Sequence, residues 1–143
     1  MYGWIGRKSE QLVTDACDVA MEHGGSPDFH ERLLSVVAQP FGSDGAETLA
    51  IGLAMFTAAE GDFRGTVERC VAFGRDNDSS ASFGGALAGA LHGIDGIPAD
   101  WVAQVERVNP PPSLQSLAEG LFAIVLKGRD SAARVLASLE ALL

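Results

Sequence analysis

Apolar positions recur along the chain at three- and four-residue intervals, and no stretch sustains the strict alternation of a half-buried strand. The pattern predicts helices throughout. Leu12, Ala16 and Ala20, flanked by Val13 and Cys17, form the apolar face of a first helix that stops near His23, where Gly24 or Gly25 can take the left-handed cap conformation. "SPDFHERLLSVV" opens a second helix, with Ser26 as N-cap, Pro27 at the first helical position and Asp28 near the positive end of the dipole. After Pro40 and a glycine-rich turn, Ser43 or Asp44 caps a third helix through "AETLAIGLAMFTAAE", which Gly61 ends. Asp62 caps a fourth with Phe63, Val67, Cys70 and Val71 on its face, and Gly74 terminates it.

The next apolar segment predicts a helix from about Ser79 to Leu91, and "GIPADWVAQVERV" starts another with Pro98 in its first turn. Asn109 to Ser113, "NPPPS", is a rigid break of a few residues. Two short helices then close the chain, one after Ser113 with Leu114, Leu117, Leu121 and Ile124 on a stripe, one after Asp130 with Leu136, Leu139 and Leu143. The sum is an all-α chain of about seven to eight helices. Its 143 residues are read as a single helical domain over 1–143, long enough to bury a core without disulfides or metals.

One stretch departs from this plain pattern. In "GRDNDSSASFGGALAGALHG", Gly74 to Gly93, two aspartates and two serines run into a ribbon of small residues. Residues two apart on a regular helix point to nearly opposite sides, so Asp76 and Asp78 can share an ion only from a turn before the helix. There, with the hydroxyl of Ser79 beside them and Ser80 within reach, they supply the hard oxygen ligands that Mg2+ prefers. The alternative is that Asp78 or Ser79 caps the helix. Ala81, Gly85, Gly89 and Gly93 recur every four residues, each interior glycine costing roughly 1 kcal/mol of helix stability, so this helix is expected to be buried on most faces and crossed closely by its neighbours.

Charge and composition narrow the field. A net charge of -9, from 19 acidic and 10 basic residues, argues against nucleic acid and anionic membranes as partners. The most apolar run, Thr48 to Ala59, is too short to span a membrane, and "MYGWIGRKSEQLV" lacks a signal-peptide core, so a cytoplasmic protein is expected. Cys17 and Cys70 fall singly among apolar residues and read as buried thiols. Zinc-protease, phosphate-loop and serine-hydrolase motifs are missing from the sequence. His23, His30 and His92 stand singly in turn or helix-end positions, and Trp4 and Trp101 read as packing anchors.

The order Gly-x-Asp-x-Asp-Ser at Gly74 to Ser79, followed by "GALAGALHG" and "IPADWV", resembles the C-terminal half of the ADP-ribosylglycohydrolase family. "AETLAIGLAMFTAAEGDFRGTVERCVAFG" is similar to the helix pair that precedes that motif. The resemblance implies an all-α, orthogonal helical bundle and a pair of magnesium ions, with Asp76, Asp78 and Ser79 among the ligands. It implies hydrolysis of an N- or O-glycosidic bond from ADP-ribose to a protein side chain or related acceptor, with an ADP-ribosylated protein or ADP-ribose-like ligand as partner. Arg75 would contact a phosphate or ribose, or be an ion-paired surface residue. The family's N-terminal half adds a Ser/Thr-Asp-Asp motif, and no Asp-Asp occurs here; Thr14-Asp15-Ala16 and Ser43-Asp44-Gly45 are the nearest approaches. The chain is therefore expected to be inactive alone and to need an N-terminal half, as a fragment of a longer enzyme or as a half completed by another chain. The alternative is a non-catalytic helical scaffold that acts through contacts, as a homo-oligomer or with another partner.

Overall fold

In the computed structural model the described residues are 2–40, 44–109 and 111–140, with side chains described for all of these except 2–8 and 139. They form seven α-helices and no strand: α1 (Tyr2–His23), α2 (Phe29–Val37), α3 (Gly45–Ala58), α4 (Phe63–Phe73), α5 (Asn77–His92), α6 (Ala99–Val108) and α7 (Leu114–Glu140), with one 3-10 turn at Ile94–Gly96. None of these helices is long and apolar enough to cross a membrane. Two compact units emerge, Met1–Pro98 and Ala99–Leu143.

In the first unit α3 is the hub and packs against α1, α2, α4 and α5. A helix apolar on most sides has no solvent face to offer, and α3 buries Glu47, Ala50, Ile51, Gly52, Ala54 and Met55. Around it the core collects Ala16 and Ala20 from α1, Phe29, Leu33 and Val37 from α2, and Cys70 and Phe73 from α4, with Leu12 and Val13 packed against it. Asp44 caps α3 as the sequence suggests, accepting from the Ala46 and Glu47 amides, and Asp62 caps α4 by accepting from the Gly65 amide. Ser43 lies outside the described residues.

Four local expectations change. Neither Gly24 nor Gly25 has a positive φ; a Cβ on Gly24 would stand 2.9 Å from the Ala58 Cβ, so this glycine serves close approach of α1 to the end of α3. Ser26 does not cap α2. Its hydroxyl donates to the Asp28 carboxylate, and Asp28 occupies the cap position without a side-chain bond to the helix. On α4 it is Thr66, Cys70 and Phe73 that are buried, and Val71 is exposed. Finally α5 is buried along one face, Ser80, Gly84, Gly85 and Ala88, while Ser82, Ala86 and Ala90 are exposed.

The second unit holds α6 and α7, joined by a hydrogen bond of 3.4 Å from the Gln115 amide to the Glu106 carboxylate. α7 runs without a break through Gly128 and Asp130, where two short helices are expected from the sequence. One interior glycine costs about 1 kcal/mol, too little to stop a helix that has no proline at that point. Leu114, Leu117, Leu121 and Ile124 of its stripe are exposed, as is Leu136; the Leu139 side chain and Leu143 lie outside the described residues.

Candidate functional site

The connection from α4 to α5 is three residues long and reverses the chain sharply. Gly74 and Arg75 both take left-handed backbone, φ +82° and +57°. Glycine does so freely, whereas for arginine the conformation is uncommon and needs support from its surroundings. That support is visible. The Arg75 guanidinium grips the Glu47 carboxylate with two N-H groups, Nε to Oε1 and Nη2 to Oε2 (3.0 Å), and Nη2 also donates to the Gln39 carbonyl at 2.8 Å.

Glu47 itself is 1 % exposed, so its charge must be matched from within. Besides Arg75 it accepts from the Gln39 backbone amide at 2.8 Å. The hydrogen bonds with Glu47 raise the Arg75 pKa above its ordinary value. Three segments are thereby tied together: the end of α2, the first turn of α3 and the reversal before α5.

Asp76 follows at the N-cap of α5, with φ −84° and ψ 67°. Its carbonyl accepts the first helical bond from the Ser80 amide at 3.1 Å, yet its carboxylate makes no capping bond. Instead Asp76 Oδ2 lies 3.4 Å from the Thr48 hydroxyl of α3, a long contact at the edge of hydrogen bonding. The helix starts at Asn77, two residues earlier than its apolar pattern suggests, so Asp78 and Ser79 belong to its first turn and not to a preceding loop. Because Asp76 is a cap residue with non-helical backbone, the rule that places residues two apart on opposite sides does not govern this pair. Asp78 and Ser79 are exposed, and neither side chain has a partner among the described residues.

Ser80 points the other way. It is fully buried, and its hydroxyl donates to the Asn77 carbonyl at 3.2 Å and shares a hydrogen bond with the Cys70 thiol. Of the five residues singled out from the sequence, Asp78 and Ser79 thus have uncommitted oxygens and Asp76 has only the long contact with Thr48. Arg75, an exposed residue, is committed to Glu47 and Gln39, and Ser80 is buried inside the bundle.

The donors at this turn fit a hard cation in kind, being carboxylate and hydroxyl oxygens with weak or no competing bonds. They fit it incompletely in number, since no three acidic, histidine or cysteine side chains converge among the described residues. Asp15 and Asp44, the closest stand-ins for an Asp-Asp motif, line a shared open hollow of about 450 Å3 with Ser9, Gln11, Leu12, Gln39 and Ala46. Both are otherwise occupied: Asp15 accepts from the Gln11 amide group at 2.6 Å, and Asp44 caps α3.

Two of the single histidines, His30 and His92, serve the scaffold. The His30 ring packs on Phe73 with centroids 4.5 Å apart, and His92 Nε2 lies 3.1 Å from the Gly61 carbonyl. Trp101 is half-buried, and the side chain of Trp4 lies outside the described residues.

Sequence reasoning missed Glu47, Thr48 and Gln39. A signal was present for Glu47: an acid at the start of the most apolar helix will be buried and must find a cation, and Arg75 is a basic residue in the next candidate turn. Nothing in the local pattern marks Thr48 or Gln39.

No curated protein and no solved structure matches the chain. A family model does, ADP-ribosylglycohydrolase, over residues 3–131. This range takes in α3, α4, the reversal at Gly74 and Arg75, and all of α5. Nine-tenths of the sequence is covered, and the chain belongs to the ADP-ribosylglycohydrolase family.

Proposed function

We propose that the chain is one side of a magnesium-dependent hydrolase site that cleaves N- or O-glycosidic ADP-ribosyl linkages, with Asp76, Asp78 and Ser79 as its metal ligands. The observation that carries this reading is the Asp76 carboxylate, which stands at a helix N-cap and does not cap, its one contact being the long approach of the Thr48 hydroxyl to Oδ2. Two carboxylates at the positive end of a 16-residue helix are held there at little electrostatic cost, because the helix dipole favours negative charge at that end.

When bound, magnesium would supply the Lewis acidity that fixes the ribose hydroxyls and lowers the pKa of an attacking water. The residues of this chain orient and bind. Asp76 and Asp78 bring the negative charge that draws a cation, and the Ser79 hydroxyl adds a neutral oxygen. The Thr48 hydroxyl approaches Asp76 Oδ2 from the side of α3. A net charge of -9 disfavours the diphosphate of an ADP-ribosyl group, and a bound cation at the turn would offset that repulsion locally. The second acidic set would come from a complementing segment, since the sequence has no Asp-Asp and the further acid at the turn, Glu47, is committed to Arg75 and the Gln39 amide.

Titration calorimetry with Mg2+ tests the reading, with ADP-ribose added afterwards. Wild type is expected to bind Mg2+ weakly and saturably, and Asp76→Ala/Asp78→Ala to lose that heat while keeping its helical circular dichroism. Equal heats from the two proteins, or none from either, would remove the metal site.

A further inference from the structure

Glu47 and Arg75 form a polar network with Gln39 that touches none of the oxygens of Asp76, Asp78 or Ser79. Glu47 is 1 % exposed and takes three hydrogen bonds: one from the Gln39 amide and two from the Arg75 guanidinium. Such a pair is a weak source of stability, because the desolvation of the buried Glu47 carboxylate offsets much of its attraction to Arg75, which keeps access to solvent. What it does achieve is geometric. A two-pronged guanidinium-carboxylate contact fixes direction as well as distance, and Arg75 sits in left-handed backbone immediately before Asp76.

We infer that Glu47 and Arg75 are positioning residues for the metal-binding turn: their paired hydrogen bonds hold the reversal at Gly74 and Arg75, and so set where the Asp76 carboxylate stands beside Thr48. This rests on the metal reading of Asp76, Asp78 and Ser79. Three features support a positioning role over simple packing. The partners come from 28 residues apart in the chain, so the contact pins α5 to α3 and not to its own neighbours. Arg75 also reaches the Gln39 carbonyl, which locks a second segment to the same turn. Thr48, whose hydroxyl approaches Asp76, is the next residue after Glu47, so one helical turn of α3 addresses both Arg75 and Asp76. Arginine is required for this: lysine carries the charge but cannot form the fork.

The test uses Glu47→Gln, Arg75→Lys and, as a control that lowers stability without touching the network, Ile51→Val. Mg2+ affinity is read by calorimetry and the turn by amide NMR spectra of the full chain. Glu47→Gln is expected to weaken Mg2+ binding at least tenfold, Arg75→Lys by a smaller factor, and Ile51→Val by less than twofold. Both network variants should shift the amides of Gly74 to Ser80 and speed exchange at the Ser80 amide. If Glu47→Gln does not fold, Arg75→Lys carries the same comparison. A folded network variant with wild-type Mg2+ affinity and an unchanged turn would overturn the inference. Wild type that binds no Mg2+ would instead remove the metal reading, and the amide spectra would still decide whether the pair holds the turn.

Discussion

Cys70 shows how a single buried group can report on the bundle. It is fully buried against α5, and burial pushes its thiol up from an ordinary 9.0 to about 11, a shift the Ser80 hydroxyl only partly offsets. The thiolate is the reactive form, so both access and ionisation protect it. At pH 8 a disulfide reagent is expected to leave Cys70 unmodified in the folded protein and to react with it at once in denaturant. Half-buried Cys17, also raised by burial, should react slowly. The linkage has a definite sign. The folded state holds the Cys70 proton more tightly than the unfolded chain, so its contribution is complete below about pH 9 and is lost as pH rises toward 11. A Cys70→Ser/Cys17→Ser pair of single variants, melted at pH 8 and pH 10, assigns the loss: the pH dependence should shrink in the Cys70 variant. That both thiols are free and partly or fully buried was legible from their apolar flanks. Glu47 was harder to read, because its meaning lies in a partner 28 residues away.

Between elements, the small residues decide how closely helices cross. The four-residue ridge of Ala81, Gly85, Gly89 and Gly93 points to a close approach, and the structure puts the tightest contact one step off it. A Cβ on Gly84 would lie 2.9 Å from the Thr66 methyl, 3.2 Å from the Gly52 carbonyl oxygen and 3.4 Å from the Cys70 sulfur. Gly52 answers from α3, where a Cβ would meet the Ser80 carbonyl at 3.2 Å. A ridge read from one helix cannot reveal this, since the opposing glycine sits 32 positions earlier in the chain. Gly89 is different, with nothing nearer than 3.8 Å. Gly84→Ala is therefore expected to cost about 1–3 kcal/mol through overpacking, despite the better helix propensity of alanine. Gly89→Ala should be neutral or stabilise by up to about 1 kcal/mol. Urea denaturation of the two variants checks the contrast, and equal effects would mean that α3 and α5 do not cross at Gly52 and Gly84. The caps of α3 and α4 were readable because an aspartate before an apolar period acts locally. The start of α2 was not, since Ser26 and Asp28 bond to each other and compete for one role.

At the scale of the whole molecule the burial is uneven. Every buried apolar residue described, from Ala16 to Ala88, belongs to the unit that ends at Pro98. The candidate ligands and the Glu47 and Arg75 pair belong to it too. A core fed by five helices around α3 is of a size that folds alone, since domains of about 55–65 residues already do so. The unit from Ala99 onward has no buried residue among those described, and α7 exposes Leu117, Leu121, Phe122, Ile124 and Val125. Exposed apolar stripes of this kind favour association. A chain ending at Pro98 is accordingly expected to melt in one cooperative transition, within a few degrees of the full chain, and to keep its Mg2+ response. In sedimentation the shortened chain should be monomeric, and any self-association of the full chain should disappear with residues 99–143. If the shortened chain fails to fold, the core of α1 to α5 depends on α6 and α7 for its stability. If it folds and still associates, the contact surface lies on the first unit, and the stripe on α7 plays no part in it.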